Sequence, residues 1–466
     1  MNVLLSLLQK STDYNQLLKA VEAKQAVAVS GLSQAPRSHV LAAAHEQSGR
    51  PLVAVCQDDM AAKRLASELG AFLGEEPPVL PSRELTLAGA IGVSRQWEQQ
   101  RLRLLYALAQ GRVPVLVASL DALLLRTLPR QTLFSASVTL RVGAEYSMPE
   151  LIERLTRAGY SRASLVEGVG QFALRGGILD VYSPAQEKPL RAEFFGDELD
   201  TMGYFDPITQ RRTENVDEAV LLPVAETEPH LHPQGISGLC EDLRAIIARQ
   251  QRRKTPNQAL IETLQKDCEA LENETLFASA DRYMALIYPE FTTAASYLPQ
   301  EAIVAFCDHG NLQRGEKDRA EEFGLLLDSF LTSGTLFGEL CDYYATMDDL
   351  AASLRGRAVI YCDSFLAARY PESLPPKQLL SFTARQLPGY GGSLETAAAD
   401  LKNYASNQYG SIVLCGGQRR GEILKELLAK SGLNALLSFP LTKLPQPGQI
   451  LIAGGSLPAG LEYPTL

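Results

Sequence analysis

The chain has no apolar stretch long enough to cross a bilayer, and its one N-terminal apolar run, Val3 to Leu8, is short and lacks the basic start of a signal peptide. A cytoplasmic setting is expected. Cysteine is sparse and odd in number. Of the seven, Cys56, Cys307, Cys362 and Cys415 sit inside apolar runs, which suits reduced core thiols and not a disulfide framework. Positive charge is in deficit: the formal net charge is −10. Affinity for phosphate backbones comes from clustered Lys and Arg, so the chain as a whole is not a duplex-binding module, although a local basic patch stays open. Compositional extremes are also missing. With 46% hydrophobic and 21% charged residues, the 466-residue chain reads as a soluble globular protein, with length for about three domains.

The absence that matters most lies in the first strand-to-helix turn. Gln25 to Ser30, Pro51 to Cys56 and Val113 to Ala118 read as buried strands, separated by helical patterns at Ser38 to Gln47, Ala61 to Leu73 and Ser94 to Ala109. Such alternation implies a parallel sheet with helices on its faces. A nucleotide-binding domain of this kind carries its phosphate loop after the first strand. There it needs closely spaced glycines and a Lys-Ser/Thr pair. Ser30 to Ser38 offers only Gly31, no lysine, and a proline, Pro36, that removes an amide donor. Arg37 is the one cation there. The matching acidic box would follow the strand Ala302 to Cys307, where Asp308 stands before His309 instead of a second acid. Gly31, Arg37 and Asp308 therefore outline a degenerate nucleotide site without its catalytic residues.

What the sequence does offer is a β-meander. From Phe172 to Asp206, apolar and polar residues alternate between breaks at Gly176-Gly177, Ser183-Pro184 and Gly196-Asp197. Over Leu190 to Phe195, the alternation puts Leu190, Ala192 and Phe194 on one face and Arg191, Glu193 and Phe195 on the other. Either Phe195 lies under a neighbouring loop, or it and Arg191 form the aromatic and arginine pair common at interfaces. A helix from Met148, with Ser147 as N-cap and Gly159 as its stop, precedes the meander. Arg211-Arg212 reads as a solvated turn.

Beyond the last meander strand, Ala219 to Leu222, a Pro/His-rich stretch reads as an exposed linker. His230 and His232 have no ligand-spaced partners for a metal there. Helices near Ile236 to Arg249 and Pro256 to Leu271 lead to apolar runs at Ala302 to Cys307 and Ala358 to Cys362, expected to rejoin the first sheet. After the proline-rich segment Pro371 to Lys377 comes a last α/β pattern, with strands at Ser411 to Cys415 and Gln449 to Ala453 and a helix from Arg420 to Lys430. The chain ends as though at a domain boundary. The expected class is a multi-domain α/β protein. A degenerate P-loop-type parallel sheet (1–127 and 223–365) carries an inserted antiparallel α+β domain (128–222), and a small α/β domain follows (366–466).

The run GYSRASLVEGVGQFALRGGILDVYSP…PLRAEFFGDELDTMGYFDPITQR, Gly159 to Arg211, resembles a domain shared by the excision-repair protein UvrB and the Mfd family of transcription-repair coupling factors. Leu80 to Leu124 resembles Mfd more than UvrB, and so does the loss of the phosphate loop. The likeness is strongest over the meander and weakest after about residue 230. It implies binding of the damage sensor UvrA through Arg175, Arg191 and Phe195, with the guanidiniums meeting partner carboxylates and the ring an apolar pocket. It also implies that the parts that bind RNA polymerase and translocate on double-stranded DNA, with ATP and magnesium, lie outside this chain, and that in the full-length family a C-terminal domain covers the UvrA face until activation. The alternative is a UvrB-type nucleotide- or DNA-dependent enzyme acting through the first domain. One departure is Arg83, where the family has Trp after Pro-Ser.

Overall fold

Runs of Val, Ile, Ala and Leu without interior polar residues become strands buried on both faces. In the computed structural model, which describes residues 3–88, 96–273, 279–367, 369–390 and 393–466, Ala26–Ser30, Leu52–Cys56, Val115–Ser119, Ile303–Cys307 and Ala358–Cys362 are buried at every position. With the short strands Val79–Leu80 and Gln378–Ser381 they form one parallel seven-stranded sheet. Its order is Gln378–Ser381, Ala26–Ser30, Ala358–Cys362, Ile303–Cys307, Leu52–Cys56, Val115–Ser119, Val79–Leu80. Alternate residues of each strand feed two separate cores. Val27, Ala54, Val117 and Ile360 pack with the helices Thr12–Glu22, Gln34–Ser48 and Asp59–Leu73. Ala28, Val55, Leu116 and Tyr361 pack with Gln96–Ala109, Gly235–Gln251 and Gln258–Glu272. The helix expected from Ser94 is seen from Gln96; Ser94 and Arg95 lie outside the described residues.

The inserted domain leaves the sheet after Val115–Ser119 and returns before Ile303–Cys307. Its two ends close on each other, Val138–Arg141 pairing antiparallel with Glu218–Leu221. Between them, six strands stand in reverse chain order from Arg212–Asn215 to Ser161–Arg162. Leu151 and Leu155 of the helix Met148–Arg157 pack on the inner face of that sheet, against Phe172, Leu179, Leu190, Ala192 and Leu199. Ser147 stands at the N-cap of this helix but makes no side-chain cap bond, and Pro149 occupies the first turn instead.

Two expectations need correction. Residues 223–229 are not an exposed linker: every one is buried. Nor does the first domain's sheet stop at 365. Lys377 N donates to Ala26 O at 2.8 Å, and Gln378–Ser381 is an edge strand of the main sheet. The final α/β unit has three parallel strands in the order Ser411–Cys415, Ile450–Gly454, Ala435–Ser438, flanked by the helices Leu394–Ser406 and Gln418–Lys430. After it the chain returns to the first domain, where Tyr463 Oη meets His39 Nδ1 at 2.8 Å. Among the described residues, no helix is long and apolar enough to cross a membrane.

Candidate functional site

Two hairpin tips lie side by side on the meander. One is Arg175-Gly176-Gly177-Ile178, joining Gln171–Arg175 to Ile178–Val181; the other is Phe195-Gly196-Asp197-Glu198, joining Leu190–Phe195 to Glu198–Phe205. Gly177 lets them touch. Phe194 N donates to Gly177 O at 2.7 Å, and a Cβ on Gly177 would stand 2.6 Å from Phe194 O. The second tip is also held from the far side, by Tyr146 N to Asp197 O at 2.7 Å and Gly143 N to Leu199 O at 2.8 Å. The side chains on these tips thus project from a fixed frame.

Phe195 is 85% exposed, so no loop covers it; Ile178, on the neighbouring tip, is 37% exposed. Arg175 is about half exposed. Arg191 lies deeper: its guanidinium stacks on the buried Phe205 ring, 4.6 Å from the centroid, and donates to both the carbonyl and the side-chain oxygen of Gln210 at 3.3 Å. The carboxylate it meets belongs to this chain. Asp180 accepts from Arg191 Nε at 2.7 Å, from Arg191 Nη2 at 2.9 Å and from Arg175 Nη2 at 2.8 Å. Those hydrogen bonds hold the Arg191 pKa above its ordinary value. Arg175 and Arg191 thus share Asp180, while Phe195 stands at the end of the strand that carries Arg191. The picture of both guanidiniums reaching outward is corrected, however, because Arg191 is engaged inward. Asp180, Gln210, Phe205 and Ile178 were not singled out from the sequence. For Asp180 the one available signal was an acid in the otherwise apolar run ILDV, which alternation places on the face of Arg191.

At the degenerate nucleotide site, Arg37 Nη1 and Asp308 Oδ2 meet at 2.7 Å, beside Cys56 and Cys307 in a cleft also lined by Arg64 and Glu68. Arg37 therefore already has its anion. Gly31 serves packing: a Cβ there would stand 2.0 Å from Phe382 O, and its amide donates to Ser364 O at 3.2 Å. The first turn of the following helix meets a neutral acceptor, with Ala35 N donating to Gln386 Oε1 at 3.3 Å. Two of the backbone donors in this turn, Gly31 N and Ala35 N, are thus engaged within the chain.

Arg83 is resolved by a buried charge network that ties the inserted domain's exit to the first domain. Arg83 meets Glu98 at 3.2 Å and Asp281 at 2.8 Å. Arg101 Nε meets Glu226 at 2.8 Å, both side chains fully buried; Thr127 donates to Glu226 and Thr227 to Asp281. This network explains why residues 223–229 are buried. His230 and His232 turn to Glu228 and Asp242. Among the described residues one group has metal-ligand spacing, Cys240, Cys268 and Glu272; both thiols belong to the core and the carboxylate is paired with Arg244.

Comparison with known proteins adds independent support for the reading of the meander. Residues 138–226 match the UvrB interaction domain family. Over 99% of its length the chain is similar, at 26% identity, to the transcription-repair-coupling factor of Staphylococcus aureus strain USA300, and over 98%, at 22% identity, to that of Bacillus subtilis strain 168. It spans 39% of the length of each. The likeness read from the residues thus extends over the meander and the rest of the chain alike.

Proposed function

We propose that this chain is the recruiting module of a transcription-repair coupling factor, and that its meander domain docks the excision-repair protein UvrA and brings it to stalled RNA polymerase. The observation that carries the reading is Phe195: a large ring left 85% exposed on a hairpin pinned from both sides, with the half-exposed Arg175 on the neighbouring hairpin tip. An exposed aromatic on a rigid frame costs little ordering when a partner covers it. In this reading the ring enters an apolar pocket of UvrA, Ile178 adds to the apolar contact, and Arg175 meets a carboxylate in a charge-assisted pair.

The engaged backbone of the Gly31 turn and the Arg37–Asp308 pair support a module that does no chemistry of its own. On this proposal, ATP and magnesium, translocation on double-stranded DNA and release of RNA polymerase belong to parts of the coupling factor other than this chain. Retention of purified UvrA by the immobilised chain, lost with Phe195→Ala, tests the reading. Equal retention by both proteins would refute it. ATP turnover by the chain, abolished by Arg37→Ala, would displace it in favour of a UvrB-type enzyme.

A further inference from the structure

The strand Ile178–Val181 carries one charged residue, Asp180, and that residue is 1% exposed. A buried carboxylate is costly unless its oxygens are matched by donors. Here they are matched by two residues offered as partner contacts. Arg191 is held side-on through Nε and Nη2, stacked on Phe205 and bonded to Gln210, so little of its donor set faces out. Arg175 gives Asp180 one N–H, at 2.8 Å, and keeps the rest of its fork toward solvent. The three groups together carry one net positive charge.

We propose that Asp180 is the positioning residue of the docking face. It fixes Arg191 as a buttress that does not itself reach the partner, and it presents the free edge of Arg175 to a single partner carboxylate beside the Phe195 pocket. Without Asp180 the two like charges on the strands that flank Ile178–Val181 would separate, and Arg175 would have to be ordered on binding. The inference rests on the docking reading above.

Titration calorimetry of purified UvrA into the whole chain tests it with Asp180→Asn, Arg175→Ala, the double variant, and Phe195→Ala as control. Asp180→Asn is expected to weaken binding roughly tenfold, the scale of one charge-assisted contact and one ordered side chain. Because Asp180 acts through Arg175, the double variant should bind no more weakly than Arg175→Ala alone. A structural role confined to folding would shift the melting temperature and leave losses that multiply; multiplying losses, or unchanged affinity in a folded Asp180→Asn protein, would overturn the proposal. If Asp180→Asn does not fold, the cycle of Arg175→Ala and Arg191→Ala replaces it: coupling of at least about threefold is expected through their shared carboxylate, and independent effects would overturn it. Loss with Phe195→Ala but not with Asp180→Asn defeats this inference alone, whereas no loss with Phe195→Ala defeats the docking reading itself.

Discussion

Phe195→Ala separates a docking residue from a packing residue more cleanly than any other change in the chain. The ring is 85% exposed, so nearly all of its surface is still available to be taken out of water by a partner. Full burial of a phenylalanine side chain is worth about 1.5 to 3 kcal/mol, and an aromatic at the centre of an interface typically costs about 2 kcal/mol or more when truncated. A loss of about 2 kcal/mol corresponds to roughly 30-fold weaker binding of UvrA. The same exposure means the folded chain gains little from the ring, so stability should move by less than about 0.5 kcal/mol. Calorimetric titration of UvrA, with thermal melts of both proteins, reads the two quantities. Affinity within about threefold of the parent would refute the assignment. A large fall in melting temperature would refute the argument from exposure.

Arg191→Ala should do the opposite in part, lowering stability by about 3 kcal/mol because it leaves the buried Asp180 carboxylate with Arg175 alone; urea melts check this. Burial pushes His39 and His309 down to about 4. The unfolded chain therefore binds protons that the folded chain does not between about pH 6.5 and 4. The stability they contribute is complete above about pH 6.5 and is lost as pH falls through that window, by about 2 kcal/mol per histidine at pH 5. The urea midpoint should accordingly fall between pH 7.5 and 5, and by less in His309→Phe; equal falls would count against the His309 assignment. Gly31→Ala, with φ at +81° and a Cβ driven into Phe382 O, should destabilise the first domain by about 2 kcal/mol or more without changing UvrA affinity. Glu226→Gln strands the fully buried Arg101 and should cost about 3 kcal/mol in the same melts.

The parallel sheet was legible because strands such as Leu52–Cys56 are apolar on both faces, a pattern few other structures produce. Period-two alternation put Phe195 on the polar face and left open whether a loop covers it; the resemblance singled it out together with Arg175 and Arg191. Alternation fixes which face a side chain takes, not what lies over it. Nothing in ILDV says that two arginines cover Asp180, since Arg175 and Arg191 reach it from different strands. Residues 223–229 misled for a related reason. The prolines, with His230 and His232 just beyond, read as a solvated stretch, yet the partners that bury Glu226 and Thr227 come from Arg101, Thr127 and Asp281, all far off in sequence. Gln378–Ser381 escaped notice because an edge strand needs only one buried residue, Leu380, and that leaves no run to detect.

The interleaving of the large sheet dictates an order of events during synthesis. Ala26–Ser30 and Leu52–Cys56 emerge from the ribosome early but are not neighbours; the two strands that belong between them are translated only after residue 302, a wait of about 12 to 50 s. The meander domain, whose own ends pair through Val138–Arg141 and Glu218–Leu221, can close well before that. The proposed docking platform is thus built while its host is still open. A nascent chain that has released residue 226 from the ribosome but not yet the strands Ile303–Cys307 and Ala358–Cys362 would display a finished platform on an unfinished, sticky support, whereas excising 138–226 as a unit severs no strand of the host.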